Sequence, residues 1–154
     1  MDYKHFSWSD LEKAIDVVEN QIKESKIKFD WIVSVNRGGL IPGVILSHRM
    51  KANHGVITIK NYDNKQKKKN IIKDLYISLD PTVDFSGKLL IVDEIATSGE
   101  TLQEAKKFIK KDHDIKQINI ATIYYQNRSI IKPDFYYEEI DPKTWVIFPW
   151  ENEE

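Results

Sequence analysis

Cysteine is absent from the 154 residues, which excludes thiol catalysis, thiolate zinc sites and a disulfide scaffold together. No excess of either charge is present, since 23 Lys and Arg against 24 Asp and Glu leave a net formal charge of −1. A nucleic-acid binder normally shows a basic excess or a basic face, so that class loses its main support. The start, Met1-Asp2-Tyr3-Lys4-His5-Phe6-Ser7-Trp8, lacks the basic segment and following apolar run of a secretory signal. Apolar stretches are strand-sized or broken by charge, well short of the ~20 residues that cross a bilayer. There is no internal repeat and no linker. These absences predict a cytoplasmic protein with no integral membrane segment and no nucleic-acid partner, folded as one domain over residues 1–154. A chain of this length buries roughly 70% of its unfolded surface, so it needs no covalent staple.

The remaining sequence alternates two periodicities. Ser9 precedes Leu11, Ala14, Ile15, Val18 and Ile22 at helical spacing, with Glu12 three residues on; this predicts a capping box and an amphipathic helix to about Lys23. Trp31 to Val35 reads as a strand, Asn36-Arg37-Gly38-Gly39 as a tight turn, and Leu40 to Met50 as a helix. Gly55 to Lys60 and Ile71 to Leu79 read as strands flanking a polar stretch whose Lys65 to Asn70 segment predicts a hairpin tip or arm. After a turn at Ser86-Gly87, Lys88 to Val92 is apolar on consecutive positions, as in a parallel strand covered on both faces. A helix from about Glu100 to Lys111 follows, then strands at Ile118 to Tyr125, Asp134 to Glu139 and Trp145 to Phe148. Strands and helices in this order predict an α/β domain with a mostly parallel sheet.

Two strand ends carry chemistry. In open α/β sheets ligands bind beyond the carboxyl ends of strands. The first such end delivers Asp93 and Glu94, whose side chains point to opposite sides of the strand and so serve different partners. Thr97, Ser98, Gly99 and Thr101 follow, with hydroxyls and backbone N–H groups at a helix amino terminus, which suits a phosphate. Carboxylates repel phosphate, so a ligand using both must offer hydroxyls or a metal beside its phosphate. A ribose 5-phosphate does so, and Mg²⁺ can share the site. The second end is Arg37-Gly38-Gly39, whose glycines let a ligand approach the backbone while Arg37 adds a fixed positive charge. Read alone it is only a turn; its place one βα unit before the carboxylates makes it a candidate. Leu89 to Glu94 also reads as the metal-binding strand of a P-loop ATPase, but the chain contains no G-x-x-x-x-G-K-[ST] and no G-x-G-x-x-G, so both nucleotide-binding alternatives lack their other half.

Val92-Asp93-Glu94-Ile95-Ala96-Thr97-Ser98-Gly99-Glu100-Thr101-Leu102 resembles the 5-phosphoribosyl 1-diphosphate (PRPP) signature of type I phosphoribosyltransferases. Val35 to Gly43 resembles the pyrophosphate loop of the bacterial xanthine-guanine branch, and Pro142 to Trp150 its base-binding region. The resemblance implies the type I phosphoribosyltransferase fold, a twisted and mostly parallel sheet flanked by helices with a small hood. It implies that Asp93 and Glu94 are catalytic, binding ribose hydroxyls directly or through Mg²⁺. Thr97, Ser98, Gly99, Glu100 and Thr101 would hold the 5-phosphate, and Arg37, Gly38 and Gly39 the pyrophosphate. Trp145 would stack on the base with the Val146 backbone at its edge, inside a base-binding region of about 126–150. The arm around Tyr62 to Asn70, within about 60–80, would be the hood.

Two positions depart from the oxopurine pattern. Thr97 stands where those enzymes carry a third acidic residue, and Gln126 where they carry a lysine that reads the oxo group. A hydroxyl is no general base near neutral pH, and an amide both donates and accepts. The expectation is a Mg²⁺-dependent transfer of ribose 5-phosphate from PRPP to a nitrogenous base, releasing pyrophosphate. Guanine, xanthine or hypoxanthine is the expected acceptor, and the protein is expected to be a homo-oligomer. The alternatives are a phosphoribosyltransferase acting on another heterocycle and a non-catalytic sensor of PRPP or a nucleotide.

Overall fold

The computed structural model describes residues 1–62 and 74–151. Its first helix, α1 (Trp8–Ser25), is capped two residues before the expected cap. Ser7 is the N-cap: its side chain accepts from the Asp10 amide, and Asp10 in turn accepts from the Ser7 amide. Two overlapping Ser-x-x-acid frames compete here, Ser7 to Asp10 and Ser9 to Glu12. Buried Phe6 and Leu11, which flank the earlier frame at the staple positions, decide for it. Leu11, Ala14, Ile15, Val18 and Ile22 are buried as the spacing predicts.

Strand β2 (Trp31–Asn36) leads to α2 (Leu40–Met50), which matches its predicted bounds. Strands β3 (Asn53–Tyr62) and β4 (Asp74–Leu79) are antiparallel partners. The expected tip at Lys65 to Asn70 and most of the hood arm lie outside the described residues. Strand β5 runs Ser86–Ala96, longer at both ends than expected. The expected turn at Ser86-Gly87 is a bulge inside it: Gly87 takes φ +79°, the register against the next strand shifts there, and the Asp30 carboxylate accepts from the Lys88 amide at 2.8 Å. Helix α3 (Glu100–Asp112) and strands β6 (Asp114–Gln126), β7 (Phe135–Ile140) and β8 (Thr144–Ile147) complete the order.

The main sheet has six strands in the order β4-β3-β2-β5-β6-β7, all parallel except the β3/β4 pair. Both faces are covered, as consecutive burial along β5 requires. Leu90 and Val92 join the core beneath α1, while Leu89 and Ile91 join the core that includes Leu102, Ala105 and Ile109 of α3. Each such side chain contributes roughly 1.5–3 kcal/mol by leaving water. A strand that sequence periodicity misses, β1 (Asp2–His5), pairs in parallel with β8 as a separate two-stranded ribbon. Lys4 and Val146 are register partners on its inner side; Lys4 reaches Glu138 at 2.7 Å and lies over the Tyr124 ring. Because β2, β5 and β6 are parallel, their carboxyl ends lie along one sheet edge. That edge holds every candidate site segment except β8.

Candidate active site

At the end of β2 the chain turns sharply. Gly39 donates to the Val35 carbonyl at 2.9 Å and Leu40 to that of Arg37 at 3.0 Å, while Asn36 Nδ2 anchors the loop to Thr58 Oγ1 at 3.2 Å. The Asn36–Arg37 peptide is cis. The two glycines are closely covered, Gly39 by backbone that cannot move aside and Gly38 by the end of the flexible Glu94 side chain. A β-carbon on Gly38 would overlap the Glu94 carboxylate, and one on Gly39 would overlap the Val92 carbonyl and lie 2.8 Å from that of Val35. The loop and the carboxylate strand are therefore in direct contact, and Arg37 is exposed at the loop's crest.

Asp93 and Glu94 do not lie beyond the end of β5, where the sequence places them. The ladder to β6 continues to Ala96 opposite Tyr125, so both carboxylates sit within a paired strand. Asp93 is only 9% exposed; its Oδ1 accepts from the Glu94 amide at 2.9 Å. Burial, and then the neighbouring charge of Glu94, push the Asp93 carboxyl well above the usual carboxylate range. Glu94 is partly buried, and its Oε2 has no hydrogen-bond partner among the described residues. An unpartnered carboxylate oxygen is costly unless a ligand fills the gap.

The segment after β5 leaves hydroxyls and amides open at the amino terminus of α3. Thr97 and Ser98 are exposed, and Gly99 turns at φ +81° beneath Ser129 and Ile131. A side chain at Gly99 would meet Ser129 Oγ, while Ile130 donates to the Ser98 carbonyl at 2.8 Å. The segment after β6 thus backs the loop, a support that no local motif signals. Ser98 Oγ accepts from the Glu100 amide at 3.3 Å. The first helical bond of α3 is donated by Gln103 to Gly99, so the amides of Thr101 and Leu102 face outward at the positive end of the helix dipole.

The base-side candidates are brought together less simply. Gln126 is buried at the end of β6, its Oε1 accepting from Arg128 Nε at 2.8 Å and its Nε2 donating to the Thr144 carbonyl at 3.4 Å. Arg128 was not singled out by sequence; two residues past a strand end, nothing but its charge marks it. Trp145 is 57% exposed, and Val146 points inward. β1 sets the exposed ring of Tyr3 in register with Trp145. The two carboxylates, expected on opposite sides of the strand to serve different partners, are close enough for Glu94 to act on Asp93. With one free buried oxygen the pair fits Mg²⁺, which usually takes one or two protein carboxylates and completes its shell with phosphates and water. Among the described residues no cluster of three or more His, Cys, Asp or Glu could form an all-protein metal cage.

Comparisons with known proteins agree with this layout. The xanthine-guanine phosphoribosyltransferase of Desulfotalea psychrophila is 28% identical over 148 residues, covering 96% of this chain and 85% of that protein. The crystal structure of a purine phosphoribosyltransferase from Pyrococcus horikoshii superposes with a TM-score of 0.86 at 29% identity, covering 100% of this chain and 97% of the other. The xanthine-guanine-hypoxanthine phosphoribosyltransferase of Helicobacter pylori gives 0.82 at 26% identity, covering 97% and 94%. The family described as phosphoribosyl transferase domain matches residues 7–153. With the family match running over nearly the whole chain and relatives similar along its length, the chain belongs to the phosphoribosyltransferase family and is an enzyme of that type.

Proposed function

We propose that the protein transfers the 5-phosphoribosyl group of PRPP to a ring nitrogen of a purine, with guanine, xanthine or hypoxanthine as acceptor. The bond from ribose C1 to the diphosphate oxygen breaks, a C1–N bond forms, pyrophosphate leaves, and the base loses a proton. The observation that carries this reading is the seating of the Glu94 carboxylate against Gly38. It sets a sugar-binding carboxylate beside a backbone loop open to a diphosphate. The names of the relatives from Desulfotalea, Pyrococcus and Helicobacter, all purine or oxopurine transferases, support the acceptor class.

In this reading Thr97, Ser98, Gly99, Glu100 and Thr101 hold the 5-phosphate through amides and hydroxyls. Arg37, Gly38 and Gly39 receive the diphosphate. Asp93 and Glu94 bind the ribose hydroxyls, and their negative charge stabilises the oxocarbenium character that develops at C1. Mg²⁺, held by the same two carboxylates, would neutralise diphosphate charge as it leaves. Trp145 offers an exposed ring for stacking on the base. The Thr97 hydroxyl does not take the base's proton at neutral pH, so that proton passes to water, and catalysis relies on positioning and charge.

The test is to incubate the protein with PRPP, Mg²⁺ and a panel of purine and pyrimidine bases and identify the nucleotide formed. Formation of the monophosphate of guanine, xanthine or hypoxanthine is expected. Product from a pyrimidine alone would move the acceptor to another heterocycle, and PRPP binding with no product from any base would leave a sensor.

A further inference from the structure

We propose that Arg128 is the specificity-determining cation of the acceptor site, favouring a base whose edge presents an oxo oxygen over one that presents an amino group. The proposal rests on the transferase reading above and names the acceptor class for it. It starts from the orientation of the Gln126 amide. Arg128 Nε can only donate and the Thr144 carbonyl can only accept, so the amide has one orientation: Oε1 toward Arg128 at 2.8 Å, Nε2 toward Thr144 at 3.4 Å. Gln126 is 2% exposed, and both ends of its amide are engaged in this tie. It is a positioning residue that acts through Arg128.

Arg128 has the opposite character. It is exposed, its Nε is fixed by Gln126, and among the described residues no carboxylate pairs with it. Its positive charge and its remaining donors are thus unneutralised at the carboxyl end of β6. The tie runs to Thr144, the residue before the exposed Trp145, which ties the cation to the strand carrying that aromatic surface. A guanidinium donates and never accepts. Against an oxo oxygen it makes a charge-assisted bond; against an amino group it sets N–H against N–H and leaves both unpaired.

The competing use of this cation is the 5-phosphate, since Ser129 and Ile130 directly after it back the Gly99 turn. One set of kinetic measurements separates the two. The ratio of kcat/KM for hypoxanthine to that for adenine, and the KM for PRPP, are measured for the wild type, Arg128→Ala, Arg128→Lys, Gln126→Met and the Arg128→Ala/Gln126→Met double variant. Arg128→Ala is expected to shrink the ratio about ten- to a hundred-fold with the PRPP KM unchanged. Arg128→Lys should recover part of it, and Gln126→Met should reproduce the loss without adding to it in the double variant. A merely structural role would lower the melting temperature and leave the ratio alone. An unchanged ratio in Arg128→Ala overturns the proposal, as does a loss confined to the PRPP KM, which would assign the cation to phosphate. In those cases wild-type turnover of hypoxanthine keeps the transferase reading intact. Absence of wild-type turnover on every purine defeats that reading and this proposal with it.

Discussion

Asp93 is the residue whose proposed role in the chemistry carries the clearest cost in stability. A carboxyl whose folded pKa is raised holds its proton more tightly in the native state than when unfolded. Its contribution to stability is full below the ordinary value of 3.8 and is lost as pH rises through the folded value. At neutral pH, above the ordinary value, this buried carboxyl beside Glu94 is therefore a cost to the ligand-free fold. Asp93→Asn should raise the melting temperature at pH 7 by roughly 2–4 °C, equivalent to about 1 kcal/mol. It should also lower turnover by about a hundred-fold or more. Thermal melts beside product assays check both signs; a destabilised Asn variant would mean that the carboxylate is held for structural reasons. The carboxylate pair was legible as a motif, because two acids ending an apolar run are conspicuous. Their depth was not, since burial of Asp93 depends on β6 pairing past it to Tyr125, a contact between segments nearly thirty residues apart.

Among the elements, α1 and the β2/β3/α2 layer carry separate, measurable contributions. Replacing Ser7 with Ala removes the cap of α1 and should cost about 1 kcal/mol, seen as a lower melting temperature with unchanged kcat; Ser9→Ala should cost much less. His54 on β3 lies 2.7 Å from Ser34 Oγ on β2, in space left by Gly43 of α2. Burial first, and the charge of His48 second, hold its pKa below the ordinary 6.5. The unfolded chain then binds this proton more readily. Stability from this pair is complete above pH 6.5 and declines as pH falls toward the lower folded value. Melting temperature against pH should show that decline in the wild type and a flatter profile in His54→Gln; identical profiles would remove His54 as the cause. Helix α2 was readable to the residue, because glycines bound its start and its apolar run is continuous. Strand β1 was not: Asp2-Tyr3-Lys4-His5 is short and polar, and only its partner β8, at the far end of the chain, makes it a strand.

At the scale of the molecule, the parallel sheet collects loops from distant parts of the chain along one edge, and the site is the sum of those loops. Arg37 to Gly39 follow β2, Asp93 to Thr101 lie at the end of β5, and Gln126 to Ser129 lie at the end of β6 and just after it. The near-zero net charge conceals this arrangement, which sets an exposed Arg37 after β2 and an exposed Arg128 after β6 on either side of β5 with its buried Asp93 and partly buried Glu94. The segments proposed to hold PRPP were legible as motifs because each is continuous in sequence. The proposed base side was less so, because it depends on Arg128, Gln126 and Thr144 meeting across β6 and β8. The central claim is that the carboxylate pair and the Gly38 loop form one PRPP-cleaving centre. Its most direct test is pyrophosphate release from PRPP with Mg²⁺ and guanine, comparing the wild type with Glu94→Ala. Guanine-dependent release by the wild type, reduced about a hundred-fold or more in the variant while the fold is retained, is the predicted result. Equal release by both proteins, or wild-type release that does not depend on a base, would contradict it.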